Sequence, residues 1–306
     1  MTIKSFVIRL FRHTGFILTL AIVIGLTFSQ GAPWTKPLVT PILGIIMTLS
    51  VIGISTKIFL EFKKLLFPIS ISLILSYFIL GGIFIGLSSI LIRDYELWTG
   101  FVLIAAVPPA VAVIPYTYHL GGNIKLSLVG TVAAFLAALV LTPLISILFL
   151  GTSYIEPVRL LINLGELIIA PLIISRILRQ IGIAKFLEKH RGSIVNWGFF
   201  VIVYTIIGLN RDAFLSEPFT LFLVSTVAFA SSFLLTYLIN LVFRYFGFDK
   251  ADRISFILLG TRKNYGLAAA IALQFFSAKT AMPVAIAMTF AILQFIWLTF
   301  WVKKIV

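Results

Sequence analysis

Ten apolar runs, each long enough to cross a bilayer as a helix, follow one another with only short charged or Gly/Pro-rich breaks between them. They cover residues 14–32, 38–56, 65–92, 97–120, 126–150, 157–180, 192–210, 217–243, 254–277 and 280–302. A hydrocarbon core about 30 Å thick needs roughly 20 apolar residues per crossing at about 1.5 Å rise per residue. The pattern therefore predicts an all-α polytopic membrane protein of ten transmembrane helices with little mass outside the bilayer. Composition agrees: 60% of the 306 residues are hydrophobic, 11% are charged, and the mean hydropathy is +1.14. No soluble fold hides that much apolar surface.

Charge orients the helices. On alternating sides, the breaks put Lys4, Arg9, Arg12, Lys57, Lys63, Lys64, Lys125, Arg176, Arg179, Lys185, Lys189, Arg191, Arg244, Lys250, Arg253, Lys303 and Lys304 on one face. Lys36, Arg93, Arg159, Arg211 and Lys279 fall on the other. Basic residues on short loops mark the cytoplasmic side, so the reading is an integral protein of the cell (inner) membrane with both termini cytoplasmic. The net charge of +14 is then topology rather than affinity for nucleic acid. Lys4, Arg9 and Arg12 ahead of the first run imitate a signal peptide, but nine further runs favour an uncleaved first crossing.

Zero cysteines remove disulfides, thiolate metal sites and cysteine nucleophiles. With no HExxH, no paired intramembrane aspartates and no Ser/His/Asp spacing, the chain is not read as an enzyme and is assigned no cofactor or metal. His13, His119 and His190 are scattered near predicted interfaces and read as solvated. The oligomeric state is left open.

Ten crossings divide at 151–157 into a first five-helix repeat (1–151) and a second (156–306). An odd number per half inserts the second upside down, the inverted-repeat architecture of transporters. The fourth segment of each half is interrupted, by Val107-Pro108-Pro109-Ala110 and Pro115 in segment 4 and by Gly260-Thr261-Arg262-Lys263-Asn264-Tyr265-Gly266 in segment 9. Proline removes a backbone donor, and glycines with polar residues invite unwinding, so both helices are predicted to break at mid-membrane. Pro41, Pro68, Pro143 and Pro171 read as simple kinks.

Glu166, Arg262 and Lys263 fall deep inside apolar runs, where each charge costs about 2.5–3.5 kcal/mol on insertion scales. Glu166 is expected to pair with one of the two bases, leaving the other as a tethered cation facing the site. Arg262 suits a structural clamp and Lys263 a coupling role through its protonation. A salt-bridge network that merely holds the bundle is the alternative. A bare cation favours an anionic substrate, with Pro108, Pro109, Tyr116, Thr117, Arg262, Asn264 and Tyr265 as candidate contacts; capping of freed backbone is the alternative role of the polar groups.

At these breaks the chain resembles the bile acid:sodium symporter (BASS) family. The resemblance spans most of the sequence. It is carried by Tyr116-Thr117-Tyr118-His119-Leu120-Gly121-Gly122-Asn123, Leu126-Ser127, Leu141-Thr142-Pro143, Asn264-Tyr265-Gly266-Leu267-Ala268-Ala269 with Gln274-Phe275-Phe276, and Ala281-Met282-Pro283-Val284. It implies a core domain of segments 3–5 and 8–10, a panel domain of segments 1–2 and 6–7, and crossed broken helices 4 and 9. An organic anion would move by alternating access.

Sodium-using members place Ser-Asn where Val113 and Ile114 stand, and Glu and Gln where Leu259 and Lys263 stand. Apolar side chains cannot coordinate a hard cation. The resemblance therefore implies a sodium-site-deficient member in which Lys263 replaces the ion. The expected function is transport of a small or amphipathic organic anion, proton-coupled or facilitative. The alternatives are sodium symport through backbone ligands, or a non-transporting ligand sensor of the same fold.

Overall fold

The computed structural model describes residues 14–52, 66–151 and 157–304, and among them every regular element is helical. In chain order these are α1 (Thr14–Thr27), α2 (Ser29–Val51), α3 (Leu66–Leu91), α4 (Tyr95–Ala106), α5 (Val113–Leu120), α6 (Ile124–Leu150) and α7 (157–180). They continue with α8 (Ala184–Leu209), α9 (Arg211–Ser216), α10 (Pro218–Tyr245), α11 (Lys250–Thr261), α12 (Tyr265–Phe275) and α13 (Ala278–Trp301). Seven of them, α2, α3, α6, α7, α8, α10 and α13, are long and apolar enough to cross a membrane; α1 and α4 are shorter apolar helices. The protein is an integral, polytopic membrane protein.

Several boundaries differ from the hydropathy reading. The first break falls at Phe28, whose backbone leaves the helical region (φ −127°, ψ 65°), and not at Pro33. Helix α8 begins at Ala184, so the basic stretch 185–191, expected as a loop, forms its first turns. Widened π-helical turns, invisible to hydropathy, interrupt α3 at Ile74–Leu80, α7 at Gly165–Ile169 and α10 at Ala230–Leu234. Arg253, counted among loop charges, is buried and donates to Asn240 Oδ1 at 3.2 Å. Lys4, Arg9, Arg12, His13, Lys57, Lys63, Lys64 and most of the 151–157 seam lie outside the described residues.

The interrupted helices start and end by local rules. Asp94 caps α4, accepting from the amides of Glu96 and Leu97, and Asp249 caps α11, accepting from Asp252. Carboxylates at helix N-termini satisfy orphan amides and suit the dipole. Helix α5 stops at Gly121, whose φ of 73° is the left-handed conformation that glycine adopts without strain. Asn123 then caps α6 and Ser277 caps α13.

Helices α1 and α2 pack on α8, with α7 against α2; α4 packs on α3, α6, α12 and α13, and α11 on α3, α5, α6 and α10. Helix α8 also reaches α12 and α13. Gly100 lets α4 and α13 approach closely, because a Cβ there would meet the Thr280 carbonyl and the Pro283 ring.

Candidate functional site

The first break is an accounting problem in backbone acceptors. The last carbonyls of any helix lack intrahelical donors, and Pro109, having no N–H, cannot serve Ala105. Four of the freed acceptors find a partner from elsewhere in the chain. The Lys263 ammonium donates to Ala105 O and to Val107 O, both at 2.8 Å. The Thr142 hydroxyl donates to Ala106 O at 2.8 Å, and the Asn264 amide to Pro108 O at 2.8 Å. The last of these ties the two breaks together, backbone to backbone. Pro115, expected to add to the break, is accommodated within the first turn of α5, where a missing N–H costs little.

Lys263 is fully buried, and its three donors are spoken for. Two go to carbonyls, and Nζ sits 4.5 Å from the centre of the Tyr77 ring, a favourable contact for a desolvated cation. The Tyr77 hydroxyl is anchored in turn on Ala134 O at 3.0 Å. The ammonium thus caps the negative end of the α4 dipole.

Its neighbour is less completely satisfied. Arg262 Nη1 donates to Ala291 O. Its guanidinium carbon lies 5.5 Å from the Tyr116 ring centre and 5.9 Å from that of Phe295, and those two rings stack at 3.9 Å. Nε and Nη2 of Arg262 and the Tyr265 hydroxyl are buried without a hydrogen-bond partner. Unpaired buried donors cost about 1–3 kcal/mol each, and more when charged.

These groups border a cavity of about 270 Å3. Pro115, Tyr116, Arg262, Asn264 and Tyr265 line it from the broken helices, Arg191, Asn196 and Phe199 from α8, and Met288, Ala291 and Ile292 from α13. No acidic residue is among its lining.

The structure separates Glu166 from this site. The carboxylate is exposed on the widened turn of α7 and borders another groove, with Pro41, Gly44, Thr48 and Pro171. Among the described residues no acidic side chain forms an ion pair with Arg262 or Lys263. Both bases border the cavity: Lys263 donates to backbone carbonyls, while Arg262 clamps Ala291 O and keeps unused donors. Thr117 is fully buried, donates to Val113 O and shares a hydrogen bond with Ser127, so it packs rather than lines the cavity. Pro108 and Pro109 shape the break without bordering the cavity. Asn264 borders it, but its carboxamide oxygen caps α12 and its nitrogen meets Met47 Sδ at 3.2 Å. Arg191, Phe199, Met288 and Phe295 were not singled out. Arg191 was visible only as one loop charge among many, and apolar wall residues carry no signal in such a sequence.

Membrane-crossing helices with a cavity where two interrupted helices meet define a polytopic membrane transporter. Residues 12–305 match the SBF-like CPA transporter family. The chain is 27% identical over 292 residues to the uncharacterized sodium-dependent transporter YocS of Bacillus subtilis (strain 168), covering 92% of this chain and 88% of that one. It is 28% identical over 171 residues to sodium/bile acid cotransporter 7 of Xenopus tropicalis, covering 52% of this chain and 49% of that one. The chain belongs to the SBF-like CPA transporter family, as the BASS resemblance implied, and the family and these relatives are transporters, not enzymes.

Proposed function

We propose that the protein is a secondary transporter that moves a small or amphipathic organic anion by alternating access without sodium, the Lys263 ammonium standing where a coupling ion would. One observation carries this reading: Lys263 Nζ is bound by Ala105 O and Val107 O at the C-terminal end of a broken helix. Carbonyls at such an end are the ligands with which transporters hold monovalent cations. Coupling to protons and facilitated diffusion are both compatible with a cation tethered at this position.

The proposal includes ten crossings in two inverted repeats, 1–151 and 156–306. Paired features support it. Each half widens its third segment into a π-turn, caps its fourth with an aspartate, and caps its fifth with Asn123 or Ser277. The ends also meet reciprocally: Asn123 donates to Asp252 at 2.8 Å, and Lys279 pairs with Asp94 at 2.7 Å. Segments 3–5 and 8–10 form the core domain and segments 1–2 and 6–7 the panel.

Three contacts between these bodies close the side away from Arg191. Asn210 donates to Ala278 O at 2.8 Å, Gln274 to Asn163 Oδ1 at 3.2 Å, and the Arg159 guanidinium lies 5.6 Å from the Phe275 ring centre. With the basic loops and both termini cytoplasmic, this is an inward-facing conformation. The test is anion uptake into proteoliposomes with sodium replaced by potassium. Equal, saturable uptake in both salts supports the reading, and strict sodium dependence replaces it with symport through backbone ligands. Saturable binding with no uptake replaces it with a sensor.

A further inference from the structure

We propose that the Nε/Nη2 edge of Arg262 is the seat of a carboxylate headgroup, with the Tyr265 hydroxyl as an additional donor. This rests on the organic-anion reading above and names the group by which such an anion is held. A guanidinium presents five N–H groups in a rigid plane, and Nε–H and the neighbouring Nη2–H point in parallel along one edge. That edge matches the two oxygens of a carboxylate and makes a paired, charge-assisted contact that an ammonium cannot copy. In this chain Nη1 is occupied by Ala291 O while both nitrogens of the edge are unpartnered.

Native proteins rarely leave buried polar groups unpaired. Three unpaired donors fall together on Arg262 and Tyr265, two residues that border one cavity, and this clustering is what offers a bound acceptor its hydrogen bonds. The sign follows, because the Arg262 charge meets no carboxylate in the cavity lining. The orientation follows too. Tyr116 and Phe295 cover the guanidinium as aromatic partners, leaving hydrogen bonding to its edge. The apolar body of the ligand lies among Val111, Val195, Phe199 and Ile292, toward Arg191. Both edge nitrogens are shielded from water in this conformation. Admitting the headgroup therefore requires a side-chain shift beside Arg262, and Tyr116, which borders the cavity with its ring centre 5.5 Å from the guanidinium carbon, is a neighbour placed to make it.

The experiment titrates the purified full chain, in sodium-free buffer, with straight-chain carboxylates from acetate to octanoate, following thermal stability. Carboxamides, alkyl sulfonates and alkyl phosphates of the same lengths run alongside. The expected result is stabilisation by a carboxylate with its amide at least about tenfold weaker. Arg262→Lys, which keeps the charge and loses the edge, weakens carboxylate binding at least about tenfold, and Tyr265→Phe weakens it less. Unchanged carboxylate affinity in folded Arg262→Lys, or a consistent preference for phosphates or sulfonates over carboxylates, overturns the seat and leaves anion transport standing. If no anion of any class stabilises the protein, the organic-anion reading falls with it. The ranking of the ligand classes on the unmodified protein decides the matter even where Arg262→Lys does not fold.

Discussion

Replacing Lys263 by alanine tests whether its ammonium does the work of an ion. The substitution strands Ala105 O and Val107 O, which Nζ serves at 2.8 Å each in a fully buried setting. At about 1–3 kcal/mol for each unpaired buried acceptor, the loss is about 2–6 kcal/mol. Relief of the cost of burying the ammonium reduces this figure. Loss of the cation at the α4 C-terminus, worth up to about 2 kcal/mol, restores part of it. Truncation also opens room between the two carbonyls and the Tyr77 ring. If the ammonium substitutes for a cation, sodium should re-enter that space and return stability that the wild type never gains from salt. A site with a Kd of about 10 mM would return about 2 kcal/mol in roughly 0.3 M sodium. The assay is detergent unfolding by heat or denaturant at matched ionic strength, with N-methylglucamine as the inert cation. Wild-type stability in Lys263→Ala without sodium refutes the capping argument. A destabilised variant indifferent to sodium refutes the substitution of ion by side chain.

Three further outcomes follow from single contacts. Thr142→Val keeps the shape but strands Ala106 O, and should cost about 1–3 kcal/mol in the same unfolding assay. Burial alone would raise the Asp94 carboxyl, but the Lys279 hydrogen bond and charge and the α4 amides outweigh it and hold the group below the ordinary carboxylate range. A depressed folded value contributes stability above the unfolded value of about 3.9, which is lost as pH falls through the folded one. Asp94→Asn should therefore be less stable than wild type at pH 7, by a small amount for so exposed a pair, and the gap should close as pH drops below about 4. Because the chain has no cysteine, Ile292→Cys in the cavity wall is a clean reporter for a membrane-impermeant thiol reagent. It should react mainly from the Arg191 side, and adding Asn210→Leu, which removes the donor to Ala278 O, should raise labelling from the opposite side at least about threefold. Labelling unaffected by that second change would show that Asn210 does not hold the outer side closed.

How far the sequence reached depended on whether a feature left a local mark. Long apolar runs and the Pro108-Pro109 pair are local: the runs announce an all-helical membrane protein and the first break stands where the prolines put it, while several helix ends lie elsewhere. The second break was legible for the same reason, since Arg262-Lys263-Asn264 cannot continue an apolar helix at low cost. Partners were not legible, because partnership is tertiary. Glu166 was paired with the bases by elimination, as the acid at comparable depth, yet depth says nothing about the direction in which a helix turns. A widened π-turn at Gly165–Ile169 changes that direction and has no hydropathy signature. The acceptors that serve Lys263 are backbone atoms of Ala105 and Val107, which no composition or motif announces. Their need for a donor was nevertheless implied by Pro109, which withholds the N–H that Ala105 would otherwise use. A buried charge of this kind is compensated by carbonyls freed by a break in another helix. The two interrupted helices therefore depend on each other: the proline pair frees the acceptors, and the lysine of the opposite break fills them. A substitution that restored a regular helix in either one would leave unpaired polar groups in the other.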